Sequence, residues 1–184
     1  MELARLQPKL DVLGVEALAV VIAQKEPARL YFKRRQVTQM LVAVDPEQRT
    51  HQAFRVPYIE ILAADTRQKG RWPYGATAEQ MSNIRIDPTG ELGGPRPIPE
   101  GRDELNRRDG VELTPEERQM RARGHQLLGL FLIDRDGVIR WRWVEAMERQ
   151  DDVGTFPTAS EVLSAVQVVA SPSPAENRAV TDPR

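Results

Sequence analysis

The residue types that most often carry chemistry are thin in this chain, and their spacing decides which reactions stay open. Cysteine is absent from the 184 residues, so the chain supplies no disulfide, no thiolate metal ligand and no thiol nucleophile. The two histidines, His51 and His125, stand far apart in unrelated contexts. A zinc site built on them would need carboxylates as further ligands, and two partly exposed helix histidines is the simpler reading. Asp45, Asp134 and Asp136 are the carboxylates that invite a metal-ligand or acid/base role. Asp136, however, precedes Gly137 in a turn dipeptide, and Asp45 precedes Pro46 where a helix is expected to start. No phosphate-cradling glycine loop and no nucleophile and base pair accompanies them. The sequence therefore assigns no catalytic residue, no metal ligand and no cofactor. Lys33, Arg34 and Arg35 form a cationic cluster, read as a solvated helix face rather than a binding patch.

The elements that would have to position such residues are organised around 129–144, GLFLIDRDGVIRWRWV. Phe131, Leu132 and Ile133 make a short apolar run, Asp136-Gly137 tolerates positive φ, and Val138, Ile139, Trp141, Trp143 and Val144 carry β-branched or aromatic weight. Arg140 and Arg142 alternate with the tryptophans, so the second strand has one apolar and one charged face. A hairpin is not stable alone, and the rest of the chain must cover it.

Upstream, Leu3, Leu6, Leu10 and Leu13 give residues 1–12 the spacing of an amphipathic helix, with Pro8 inside it and nothing before Glu2 to cap it. Residues 15–23, VEALAVVIA, read as a strand buried on both faces, as in a parallel sheet. Pro27 opens a helix with Leu30, Tyr31 and Val37 inward. Residues 40–44 form a second strand, and Asp45 caps a helix that begins at Pro46 and runs to Phe54. Val56, held extended by Pro57, starts a strand or loop.

From about 59 to 124 the periodicity weakens and glycine, proline and charge dominate. The capping box Thr114-Pro115-Glu116-Glu117 is the one clear element, opening a helix to about His125. A connection of this length is usually a lid or poorly ordered. Trp72, Pro73 and Tyr74 suit a small apolar lid, although packing of the segment on its own domain is favoured. Residues 145–155 read as a charged loop, and 161–170 as a helix with Val162, Leu163, Val166 and Val169 on one side. The organisation expected is one domain over 1–169 with an insertion at 59–124, and a disordered tail over 170–184. No internal repeat is visible.

A formal net charge of -1 gives no global reason to expect nucleic acid or an anionic membrane as partner. No apolar run approaches the roughly 20 residues that span a bilayer, and a secretory signal is not visible, so a cytoplasmic location is expected.

The order of elements implies a mixed α/β fold. ELARLQPKLDVLGVEALAVVIAQ, ARLYFKRR, LVAVDPEQRTHQAFRV, GLFLIDRDGVIRWRWV and DDVGTFPTASEVLSAV resemble successive blocks of the alkyl hydroperoxide reductase and thiol-specific antioxidant family, in its peroxiredoxin-like branch. The most specific of these are DPEQRTHQAFRV and FLIDRDGVIRW. The resemblance covers about two thirds of the chain and implies a thioredoxin-like mixed sheet flanked by helices. It implies a redoxin antioxidant activity, either thiol peroxidase or thiol-disulfide oxidoreductase. The oxidant would be a peroxide or protein disulfide, the reductant a thiol.

Departures from the family pattern limit that activity. The family's redox cysteine sits in a short motif that would fall just before residue 1, and its assisting arginine has only Arg123 as a loose candidate. The family proline that faces the cysteine corresponds to Pro57, so Val56 and Pro57 are the positions expected to line such a site. The strand lying centrally between residues 15–23 and the Phe131 strand is also missing, which suggests a truncated N-terminus and leaves edges that invite pairing with another chain, a homodimer included. Restoring the cysteine would restore the thiol chemistry. A non-catalytic thioredoxin-fold interaction module is the alternative.

Overall fold

The computed structural model describes residues 2–37, 40–63, 72–87 and 90–170. The chain is mixed α/β, with its strands divided among four small sheets. Helix α1 spans Glu2–Val12 and strand β1 spans Leu18–Val21. Helix α2, Lys25–Arg34, then leads to strand β2, Leu41–Val44. β1 and β2 run parallel in the register Leu18 to Leu41 through Val21 to Val44. The short helix α3 is Arg49–Ala53.

Strand β3, Tyr58–Leu62, is the centre of a second sheet. It is flanked in parallel by β4, Gly75–Thr77, and antiparallel by β7, Gly124–Gln126. Between these lie helix α4 (Ala78–Asn83), the two-residue strands β5 (Arg85–Ile86) and β6 (Arg96–Pro97), and helices α5 (Ile98–Asp109) and α6 (Pro115–Arg123). The chain then forms the hairpin of β8, Gly129–Ile133, and β9, Ile139–Val144, and ends its described part in α7, Ala159–Ala170.

Two cores result. One gathers Ile59, Ala76, Met81, Ile84, Ile98 and Leu127 under β3 and the α4–α5 layer, with Ile59 and Leu127 fully buried. The other joins Leu6 and Leu10 of α1 to Val162 and Val166 of α7. β8 separates them by the two-residue period of a strand. Leu130 and Leu132 pack on the α1–α7 cluster, while Phe131 packs on the first core.

Several expectations hold. α1 carries Pro8 in its interior, α7 buries Val162 and Val166, and Thr114 and Glu117 close the expected capping box at the start of α6. The hairpin turns at Gly137, whose φ of 79° is the left-handed geometry that glycine adopts without strain. Trp141 and Trp143 lie half-buried on one face, with Arg140 and Arg142 exposed on the other.

Other expectations are corrected. β1 is half-exposed rather than buried on both faces, because β2 is its one hydrogen-bonded neighbour and Leu18 stays 55% exposed. α2 starts before Pro27, buries Ala28 and Phe32, and leaves Leu30 exposed. Ala28 and Phe32, four residues apart on one face of the helix, are buried in place of Leu30. Asp45 does cap, accepting from the N–H groups of Arg49 (3.1 Å) and Thr50 (2.6 Å), but the helix it caps begins at Arg49. His125 lies on β7, not on a helix.

Residues 59–124 hold strands and helices of their own, beyond the expected helix at Thr114. There Trp72 packs on the first core and its indole N–H donates to the Ala146 carbonyl at 2.6 Å, which is packing on the domain rather than a lid. From residue 171 on, the expected tail lies outside the described residues.

Candidate functional site

Val56 and Pro57, the positions the resemblance marks as lining a site, are both buried just ahead of β3. The Val56 N–H donates to the His51 carbonyl (2.9 Å), and the Pro57 carbonyl accepts from the Leu127 N–H (3.1 Å) and the Gln126 side-chain amide (2.8 Å). Val56 also reaches β8: a Cβ added at Gly129 would stand 3.1 Å from its Cγ2. Phe54 and Phe131 stack alongside with ring centroids 4.6 Å apart. Among the described residues the cis peptide bond is Trp72–Pro73, not Val56–Pro57. What gathers at Val56 is apolar packing and main-chain pairing. Arg123 is exposed at the end of α6.

The other residues singled out by type prove mostly structural. Asp134 accepts from the N–H groups of Asp136 (2.9 Å) and Val138 (2.8 Å) and pairs with Arg140 (2.5 Å), so hydrogen bonds to the charged form hold its carboxyl below the usual range. The Asp45 carboxyl is lowered in the same way, chiefly by the Thr50 N–H. No cluster of three metal-ligating side chains exists among the described residues. Of the cationic cluster, Arg34 donates to the Gly110 carbonyl at 2.7 Å, and Arg35 pairs with Glu91 and Asp109, each at 2.8 Å. These two arginines fasten the C-terminal end of α2 to that of α5, although Arg34, like Lys33, stays exposed to solvent as expected.

A different constellation is buried where β7, α5 and the end of β9 meet. Glu145 is 3% exposed, and its carboxylate accepts from the N–H groups of Leu128 (2.9 Å) and Gly154 (2.7 Å). Burial pushes its carboxyl up, opposed by those two N–H groups and by the charge of Arg102. Arg102 in turn contacts Nδ1 of His125. Burial, together with the charges of Arg102 and Arg121, lowers the His125 imidazole to about 3, so the ring is neutral near pH 7. Sequence reasoning missed Arg102, Arg121 and Glu145. Arginine and glutamate at those places carry no motif, and what makes them notable is burial, which depends on segments distant in sequence.

The two sheet edges are the other unusual feature. Among the described residues β1 pairs with β2 alone and β8 with β9 alone, and β1 and β8 are not hydrogen-bonded to each other. The approach to β1 (Val15, Ala17) and β8 itself (Leu130, Leu132) nonetheless rest on the same α1–α7 cluster. Main-chain N–H and C=O groups on an unpaired edge are ready acceptors of another strand.

Comparison of the chain with family models, with curated proteins and with solved structures gives no match in any of the three. Among the described residues no helix is long and apolar enough to cross a membrane.

Proposed function

We propose that this chain is a redoxin-related protein of thioredoxin-like architecture that works without thiol chemistry of its own. It acts as a non-catalytic module that takes an extended segment of a protein partner onto an open sheet edge. The observation that carries this reading is β8. Its side chains pack on both cores while one of its main-chain edges has no strand beside it among the described residues. Addition of a strand to such an edge combines main-chain hydrogen bonds with side-chain pockets.

The thioredoxin-like part of the reading is supported by three features. β1 and β2 are parallel and joined by a helix, the β8–β9 hairpin is followed by α7, and α1 packs on α7. The resemblance implies a further strand between β1 and β8, and these are the two edges left unpaired. Peroxide or disulfide reduction by the family's route needs a soft nucleophile that returns through a sulfenic acid, and the 184 residues contain no cysteine.

The test is the purified chain itself. A soluble product with one cooperative unfolding transition is expected, and an aggregated or non-cooperative product overturns the reading. Hydrogen exchange on that product then reports the edge directly. Amides of β8 that face away from β9 are expected to exchange far faster than those facing it. Equal, slow exchange on both sides of β8 in a monomer would mean that the edge is already covered. Sedimentation over a concentration series distinguishes a second copy of this chain, the homodimer, from a different protein as the strand donor.

A further inference from the structure

We infer that the cavity between α5, α6 and β7 binds a small organic carboxylate, its charged end held by Arg102 and Arg121 beside His125, and its apolar body lying against Ile61, Met81 and Ile98. The cavity measures about 310 Å³ and is lined by these six residues among others, a size that suits a small ligand. It lies away from the β1 and β8 edges, so its occupant is independent of the strand-accepting role.

The chemistry of the wall selects the ligand. A guanidinium has no acceptor, so the Nδ1 of His125 that meets Arg102 must accept, which places the ring proton on Nε2. That Nε2–H is buried and has no hydrogen-bond partner, which is an uncommon state for a buried donor. Neutrality of His125 near pH 7, imposed by burial and by the two arginines, is consistent with this tautomer. Arg102 and Arg121 are themselves partly buried, and burial is the main cause that lowers both. Neither closes an ion pair with a described residue, whereas the partly buried Arg35 pairs with Glu91 and Asp109.

Other charges stand around the cavity without neutralising it. Asp103 and Arg118 line it from exposed positions, Glu117 lies within electrostatic reach of Arg121, and Glu145 within reach of Arg102. The Glu145 carboxylate is already engaged by Leu128 and Gly154. The cavity wall thus carries three arginines, Arg102, Arg118 and Arg121, against the one carboxylate of Asp103, beside apolar side chains. A carboxylate is the anion that satisfies donors at one end and leaves an apolar remainder to bury. A bare phosphate would satisfy the donors and leave the apolar wall unused.

The test titrates the full chain with hexanoate, benzoate and inorganic phosphate, followed by calorimetry and by amide chemical shifts. Saturable binding of hexanoate or benzoate is expected with a Kd on the order of 1 mM or tighter, with shifts at residues 98–103 and 121–125. Arg121→Gln is expected to weaken it about tenfold or more, while Arg142→Gln, on the exposed face of β9, leaves it unchanged. Arg102→Gln should do at least as much as Arg121→Gln. If that variant fails to fold, Arg121→Gln and the shift map decide. Four results would each overturn the assignment: no saturation by about 10 mM, phosphate binding as tightly as the carboxylates, shifts confined to other regions, or an Arg121→Gln affinity equal to that of the parent chain.

Discussion

β3 and β8 are both five-residue strands, yet β3 has a hydrogen-bonded neighbour on each side and β8 has one. Around β3 the chain supplies everything needed: β4 in parallel, β7 antiparallel, and a core in which Ile59, Ala76 and Leu127 reach zero exposure. Around β8 the covering comes from α1 and α7, and the burial they give is smaller, with Ile133 left 45% exposed. The difference shows that packing on both faces does not complete a strand. Its lateral hydrogen bonds must also be met, and in this molecule the two requirements are satisfied in one region and separated in the other.

The largest effect that tests this contrast is truncation of a side chain at each centre. Leu127→Ala or Ile59→Ala is expected to cost about 2–5 kcal/mol by urea unfolding, because each side chain is fully enclosed and leaves a cavity. Leu10→Ala in the α1–α7 cluster should lie at the low end of that range, since the smaller cluster collapses more readily around the gap. Equal losses at both centres would remove the distinction between a completed and an uncompleted region.

Next comes the closest approach in the β3 sheet. Gly124 has an extended backbone that any residue adopts, but a Cβ there would collide with the Ile59 carbonyl oxygen and the Tyr58 ring. One of the obstacles is main chain, so Gly124→Ala is expected to lose about 1–3 kcal/mol as an overpacked site. Thermal unfolding that matched the parent chain would show that β7 moves freely against β3.

The two regions also differ in how legibly the sequence declares them. The β8–β9 hairpin announces itself through Trp141 and Trp143 alternating with Arg140 and Arg142, and α7 through its valines at helical spacing. Both signals are local and repeat over several residues. β4, β5 and β6 are two or three residues long, too short for any period to show, and glycine and proline interrupt the stretches between them. The existence of β4 is fixed by pairing with β3, Glu60 with Gly75, and that of β5 and β6 by pairing with each other, Arg85 with Pro97. The same holds for the polar groups. Asp45 was readable as a cap because the N–H groups it binds are four and five residues away. Arg102 and His125 acquire their meaning from a contact across 23 positions.

Acid sensitivity sharpens the comparison further, because His125 belongs to the β3 sheet and the β8–β9 hairpin contains no histidine. Its folded value of about 3 lies below the ordinary 6.5. Between those values the unfolded chain binds a proton that the folded chain refuses, so stability rises with pH. The contribution is complete above about pH 6.5 and is lost as pH falls toward 3, with a slope of up to about 1.4 kcal/mol per pH unit. His51, lowered mainly by burial, acts in the same direction, and Glu145, raised by burial, acts in the opposite one. Both remain in the His125→Gln variant. The difference between the two stability curves therefore isolates His125, and parallel curves between pH 4 and 6.5 would contradict its buried, neutral state.

The smallest effect lies in the hairpin turn. Gly137 has a φ of 79° and open space where a Cβ would go, so Gly137→Ala adds backbone strain without any collision. The expected loss is about 1 kcal/mol. It should be confined to the hairpin, because the Asp134 carboxylate still accepts from the N–H groups of Asp136 and Val138. Hydrogen exchange reads this directly: amides shared by β8 and β9 should exchange faster while those between β3 and β7 keep their rates. If the β3 amides accelerate equally, the two regions unfold as one unit. The open edge of β8 would then belong to the stability of the whole chain rather than to a separable hairpin.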